Sequence, residues 1–175
     1  ILLRLAGNET PSCVQLFGSD KEFFVRAIGL KALEKFDIID INMGCPMPKI
    51  TKNGDGSALM KDVKKAAAIV EACAKTGRNI TVKMRIGWDE INAVEFARAM
   101  QDGGAKLVAV HGRTAQMLYG GKADWDVIAA VASALDIPVI GNGDLETTAG
   151  AEYALAHSGC AGIMIGRGAL GQPDI

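Results

Sequence analysis

The sequence lacks several features that would settle its class at once. No stretch approaches ~18 uncharged apolar residues, so nothing in it reads as a membrane span. Its first residues, Ile1-Leu2-Leu3-Arg4-Leu5, are too few and wrongly flanked for a signal peptide. The four cysteines, Cys13, Cys45, Cys73 and Cys160, form no CxxC pair, which argues against a structural zinc site and a dithiol redox motif. A reduced, cytoplasmic protein with no metal is the expectation. Positive charge is not in excess, since 19 Lys and Arg meet 20 Asp and Glu; that balance counts against a nucleic-acid partner on global field alone. There is no Walker loop, and no GxGxxG followed by a helix and an acidic residue. What remains is an ordinary globular composition, 49% hydrophobic and 22% charged over 175 residues, the size of one domain spanning 1–175. The chain starts without Met and stops after Gln172-Pro173-Asp174-Ile175. It is expected to be a piece of something longer.

Short apolar runs rich in Val and Ile recur at Val14–Phe17, Ile38–Asn42, Ile80–Arg85, Leu107–His111, Pro138–Asn142 and Gly162–Ile165, the pattern of buried parallel strands. Helical patterns lie between them. Ser19 and Glu22 have capping-box spacing, Asp62 precedes a helix ending near Gly77, and Asp89 precedes one ending at Gly103-Gly104. Thr147 or Thr148 opens another that stops near Gly159. The alternation predicts an α/β fold with a parallel sheet. Strand starts fall about 30 residues apart on average, the length of one unit of an eight-unit TIM barrel of ~250 residues.

Spacing alone also suits a doubly wound sheet, but the strand ends separate the two. A doubly wound sheet gathers its site at one switch point. Here nearly every run ends in polar residues: Gln15; Asp40 and Asn42; Lys83 and Arg85; His111 and Arg113; Asn142 and Asp144; Arg167. Four pairs stand at i, i+2, on one strand face. Polar groups aimed from many strand ends at one point are the barrel arrangement. About six units are present, so two strands are expected to be missing, and the long gap from 38 to 80 carries an insertion.

Cys45 follows the second run within Asn42-Met43-Gly44-Cys45-Pro46, a loop that holds its thiol at a strand end. A free Cys is usually a small buried hydrophobe, and Cys13, Cys73 and Cys160 take that reading. An unperturbed thiol keeps its proton at neutral pH, so Cys45 suits a proton donor as well as a nucleophile. Lys83 and Arg85 point the same way, and a lysine at a barrel mouth needs an anion; a reduced flavin offers one, and a salt bridge to Asp40, Asp89 or Asp144 is the competing reading. His111, two residues before Arg113, joins the same site or is structural; the other histidine, His157, is a helical surface residue. Gly141-Asn142-Gly143-Asp144 and Gly166-Arg167-Gly168 end the last two runs, where barrels hold phosphate. Lys49, Lys52, Lys61, Lys64 and Lys65 make the insertion after Cys45 locally basic, either a solvated loop or a rim that faces a polyanion.

These residues in this order resemble the tRNA-dihydrouridine synthases, flavin-dependent TIM-barrel reductases. The similarity is greatest to the bacterial subfamily with Asp40-Ile41-Asn42-Met43-Gly44-Cys45-Pro46. Val14-Gln15-Leu16-Phe17-Gly18, Gly54-Asp55-Gly56-Ser57-Ala58-Leu59-Met60, Val82-Lys83-Met84-Arg85-Ile86-Gly87-Trp88 and His111-Gly112-Arg113-Thr114 match too, and so do the two glycine-rich strand ends. The resemblance runs from about residue 14 to 175. It implies FMN across the barrel mouth, NADPH as reductant, and a flipped-out tRNA uridine as substrate, with Cys45 protonating C5. By motif position Gln15, Lys83, His111, Asn142, Gly143, Asp144, Gly166 and Arg167 are cofactor-binding, and Asn42, Arg85 and Arg113 serve the substrate. It also implies that the family's first two strands and C-terminal helical domain are absent. The family often has Arg where Ala115 stands here. Two other readings stand beside this one: an FMN barrel reductase acting on free pyrimidines, and a non-catalytic barrel remnant.

Overall fold

The computed structural model describes residues 3–172 and 174–175. Six parallel strands, β1 (Cys13–Leu16), β2 (Ile38–Met43), β3 (Asn79–Arg85), β4 (Leu107–His111), β5 (Val139–Asn142) and β6 (Gly162–Met164), lie side by side in chain order. Helices α1 (Lys21–Ile28), α3 (Val63–Ala74), α4 (Ala93–Asp102), α5 (Trp125–Ala134) and α6 (Thr148–Ser158) connect them, with a short α2 (Pro48–Thr51) and a 3-10 turn (Gly56–Lys61) in the insertion after β2. Strands paired in sequential order through crossover helices are successive units of an eight-unit barrel; six are present, an incomplete TIM barrel of the α/β class.

Alternation along each strand divides the side chains between two faces. Ile39, Ile41 and Met43 of β2, Ile80, Val82 and Met84 of β3, and Val108 and Val110 of β4 are buried against the helices. Phe24 and Ile28, Ile69 and Val70, Phe96 and Met100, and Ile128 and Val131 meet them from α1, α3, α4 and α5. Each such side chain removed from water contributes about 1.5–3 kcal/mol. The opposite face carries the polar residues in rows fixed by register: Gln15 beside Asp40 beside Thr81, Asn42 beside Lys83, and Arg85 beside His111 beside Asn142.

The helix starts depart from expectation at two places. Asp20, not Ser19, caps α1, its Oδ1 accepting from Glu22 N–H at 2.8 Å, while the Ser19 hydroxyl donates to Asn53 O at 3.2 Å. Asn92, not Asp89, stands at the head of α4, and its side chain leaves the helix to donate to Met60 O at 2.9 Å. Asp62 and Thr147 do cap α3 and α6, and Gly159 closes α6 in the left-handed conformation at φ +68°. Helix α5 has no counterpart among the helical patterns recognised in the sequence. Cys73 and Cys160 are buried as small hydrophobes, but Cys13 is exposed on β1, an edge strand among the described residues.

Candidate active site

All the strand ends open into one cavity of about 450 Å³. Gln15, Asn42, Cys45, Lys83, Arg85, His111, Arg113, Asn142, Gly143, Asp144, Gly166 and Arg167 all line it, so every residue selected from the sequence as a candidate meets at this one place. Their sequence separations are long; their neighbourhood is a product of register and of the glycine-rich turns that end the strands.

Cys45 sits, half-buried, in a turn fastened at both ends. Its N–H donates to Asn42 Oδ1 at 2.9 Å, and its carbonyl accepts from Ser57 N–H and the Ser57 hydroxyl, each at 3.0 Å. Ser57 reaches it because Gly56, at φ +59°, passes so close that a Cβ there would lie 2.6 Å from Cys45 O. The insertion thus clamps the thiol loop from below. Its lysines Lys49, Lys52 and Lys61 are exposed, and so are Lys64 and Lys65, which stand in the first turn of α3.

Two arginines hold the turn and the long loop after β4 together. Arg85, 2% exposed, donates from Nε to Gly44 O at 2.8 Å and from Nη1 to Thr114 O at 2.9 Å and Leu118 O at 2.7 Å. Arg113, 3% exposed, donates from Nε to Gly120 O at 2.9 Å and from Nη2 to Gly121 O at 2.8 Å and Asp144 Oδ1 at 2.7 Å. Both serve first as braces. For a ligand there remain Nη2 of Arg85, one Nη1–H of Arg113 and one Nδ2–H of Asn42.

Charge in the cavity is set by burial. Lys83 forms no ion pair among the described residues, with Asp40, Asp89 or Asp144 included. Desolvation pushes its pKa down to about 8, the Arg85 guanidinium adds to the shift, and Asp40 opposes it. His111 is pushed to about 3 by burial and by the cations Arg85, Lys83 and Arg113, so its ring is neutral. Arg113 Nη1 lies 3.3 Å from His111 Nε2; a guanidinium only donates, so Nε2 accepts and the ring proton is on Nδ1. Burial raises Asp144, but the Ala123 N–H at 2.7 Å and the Arg113 pair outweigh it and leave the carboxyl below its usual range.

At the far side, Asn142 Nδ2 donates to Met164 O at 2.7 Å, fastening β5 to β6. Gly168 touches the β5 loop so closely that a Cβ would lie 1.9 Å from Leu145 O. The Arg167 guanidinium stands 4.8 Å from the centroid of the Tyr119 ring, and Arg85 5.6 Å from the same centroid. Tyr119, which lines the cavity, escaped the sequence reading, as did Leu145 and Glu146. Only the glycines after Tyr119 hint at a loop that turns back toward the strand ends.

The donors suit a flat anionic group with a phosphate tail. An ammonium with no ion-pair partner among the described residues projects from β3, a guanidinium stands after β6 three strands away, and glycine turns between them let backbone approach closely. Among the described residues no cluster of three or more His, Cys, Asp or Glu is arranged to hold a metal ion, and no helix is long and apolar enough to cross a membrane.

The profile of a family described as "Dihydrouridine synthase" matches residues 3–175. A "Probable tRNA-dihydrouridine synthase" of Rhizobium leguminosarum bv. phaseoli is 45% identical over 174 residues, covering 98% of this chain and 55% of the relative. Others of Rhodobacter capsulatus (44%, 93% of this chain, 51% of the relative) and Synechocystis sp. (43%, 98% and 49%) are similar. The chain therefore spans about half the length of the curated relatives it matches. Among solved structures, an Amycolatopsis orientalis BexX/CysO complex aligns with a TM-score of 0.56 at 16% identity, covering 90% of this chain and 57% of that one. The N-acetylmannosamine-6-phosphate 2-epimerase of Clostridium perfringens aligns at 0.52 and 14%, covering 85% and 54%. At such identities the likeness is one of fold.

Proposed function

Because the chain belongs to the dihydrouridine synthase family, we propose that it is the catalytic barrel of an FMN-dependent tRNA-dihydrouridine synthase that reduces the C5–C6 bond of a tRNA uridine with NADPH. The observation that carries this reading is the meeting of Cys45, Lys83, His111 and Arg167 around one cavity. When bound, FMN supplies the hydride that adds to uracil C6.

The chain's own residues divide the remaining work. Cys45 Sγ holds the proton that C5 receives, and its turn is kept in place by Asn42, Ser57 and Arg85. Lys83, protonated below about 8, supplies positive charge and a hydrogen bond to the electron-rich edge of the flavin. His111 donates from Nδ1, since Arg113 occupies Nε2. Gln15 keeps one Nε2–H for the ring. Asn142, Gly143, Gly166 and Arg167 hold the ribityl-phosphate end; the Asp144 carboxylate is already taken by Arg113 and Ala123, so its part there is through backbone N–H. Asn42, Arg85 and Arg113 shape the uridine side with their spare N–H groups. The exposed insertion lysines face the polyanion, and a cytoplasmic location follows from the substrate.

The test is the purified full-length protein reduced by NADPH and offered tRNA or free uracil as oxidant. Faster reoxidation by tRNA, with dihydrouridine formed, supports the proposal. A preference for free uracil makes it a pyrimidine reductase, and a colourless protein that FMN does not reconstitute makes it a non-catalytic barrel.

A further inference from the structure

The side chains of Thr81, Asp40, Gln15 and Asn42 form one continuous series of hydrogen bonds. It runs from inside the sheet to the turn that bears Cys45. Asp40 Oδ1 accepts from the Thr81 hydroxyl at 2.6 Å, and Oδ2 accepts from Gln15 Nε2 at 2.7 Å. Gln15 Oε1 accepts from Asn42 Nδ2 at 2.8 Å. Asn42 Oδ1 then accepts from Cys45 N–H at 2.9 Å and Gly44 N–H at 3.2 Å. Register explains the series: Gln15, Asp40 and Thr81 stand in one row, and Asn42 is two residues beyond Asp40 on the same face.

An amide has a donor end and an acceptor end, whereas a carboxylate only accepts. Asp40 therefore dictates every later orientation. Gln15 turns its NH₂ toward Asp40 and leaves Oε1 for Asn42; Asn42 turns its NH₂ toward Gln15 and leaves Oδ1 for the two backbone N–H groups. If Asn42 reversed, its NH₂ would face the two N–H groups of the Cys45 turn; if Gln15 reversed, its Oε1 would face the Asp40 carboxylate and its NH₂ that of Asn42. Asp40 itself does not line the cavity.

We propose that Asp40 is a positioning residue: through Gln15 and Asn42 it fixes the Cys45 turn and aims the spare Gln15 N–H into the cavity, without touching substrate or cofactor. Its bearing on catalysis rests on the roles proposed above for Cys45 and Gln15. The polarity of the series does not. Burial holds the Asp40 carboxyl above its usual pKa, and the Thr81 hydroxyl, the Gln15 amide and the Lys83 charge oppose that rise.

The experiment measures alkylation of Cys45 by iodoacetamide in the full-length protein, with the Cys45 peptide resolved by mass, alongside folded yield. Gln15→Glu sets a second carboxylate against Asp40, and Asn42→Asp sets one against Gln15 Oε1, so that Gln15 can satisfy it only by turning Oε1 toward the Asp40 carboxylate. Each is expected to speed Cys45 alkylation about fivefold, the population change that losing one hydrogen bond produces, or to lower folded yield. Adding Asp40→Asn supplies the missing N–H, directly to the new carboxylate in Gln15→Glu and through a reversed Gln15 amide in Asn42→Asp, and the rate and yield return to those of the unaltered protein. Adding Asp40→Ala removes the charge without supplying an N–H and restores neither. The inference is overturned if the single variants behave as the unaltered protein does, if Asp40→Asn rescues neither, or if Asp40→Ala rescues as well as Asp40→Asn. The rescue pattern in a protein that forms no dihydrouridine supports the relay and overturns only the catalytic reading of Cys45.

Discussion

Arg85 Nε donates to Gly44 O at 2.8 Å, so the end of β3 is tied directly to the turn that presents the Cys45 thiol. The same guanidinium holds Thr114 and Leu118 of the loop after β4. One buried side chain thereby couples the Cys45 turn to the loop that carries Tyr119.

Arg85→Lys keeps the charge but cannot span three carbonyls, because an ammonium lacks the planar fork. Hydrogen bonds from charged donors contribute about 1.5–3 kcal/mol each. Denaturant unfolding is expected to show a loss of about 2–3 kcal/mol, and turnover on tRNA to fall with it.

Lys83 gives two pH dependences of opposite sign. The unfolded chain keeps this proton up to the ordinary value of 10.5, whereas the folded chain releases it near 8. Between those values the unfolded state binds more protons, so the contribution of Lys83 to flavin-free stability rises with pH. Affinity for FMN is expected to fall over the same rise, because the cation is lost. Lys83→Met removes both trends, which flavin fluorescence titration and urea unfolding from pH 7 to 10 measure.

Asp144 sets an acid limit. Its folded pKa is below the ordinary 3.8, so its stabilisation is present above that value and is lost as pH falls through the lower folded one. Asp144→Asn is expected to be less stable at pH 7 and to lose less on acidification, as thermal unfolding between pH 7 and 3 will show.

Gly168→Ala places a Cβ against the Leu145 carbonyl. The β5 and β6 loops must part, and FMN affinity is expected to fall at least about tenfold, the equivalent of 1.4 kcal/mol, while Gly7→Ala, where nothing stands within 4 Å, leaves affinity unchanged.

The strand ends were legible because polar residues two apart can share only one face of a strand; Lys83 with Arg85 and Asn142 with Asp144 announced the cavity in this way. Other features depended on information that local sequence does not carry. Helix α5, Trp-Asp-Val-Ile-Ala-Ala-Val-Ala-Ser-Ala, is apolar on almost every side, so no stripe distinguishes it from the strands around it. Ser19 and Asp20 are adjacent and equally able to cap, and the nearby Asn53 carbonyl decided between them. The partners of Arg85 and Arg113, and the place of Tyr119, depend on how a long loop folds back across two strands. Asp40 was visible as a polar strand residue, but its partnership with Gln15 needed the β1–β2 register.

The most direct measurement is dihydrouridine formation on tRNA by Cys45→Ala, run beside its FMN content and its reduction by NADPH. Removing a positioned proton donor costs about 10²–10⁴-fold. The account predicts a loss of that size in dihydrouridine formed, with flavin bound and reduced as before; turnover equal to that of the unaltered protein would contradict it.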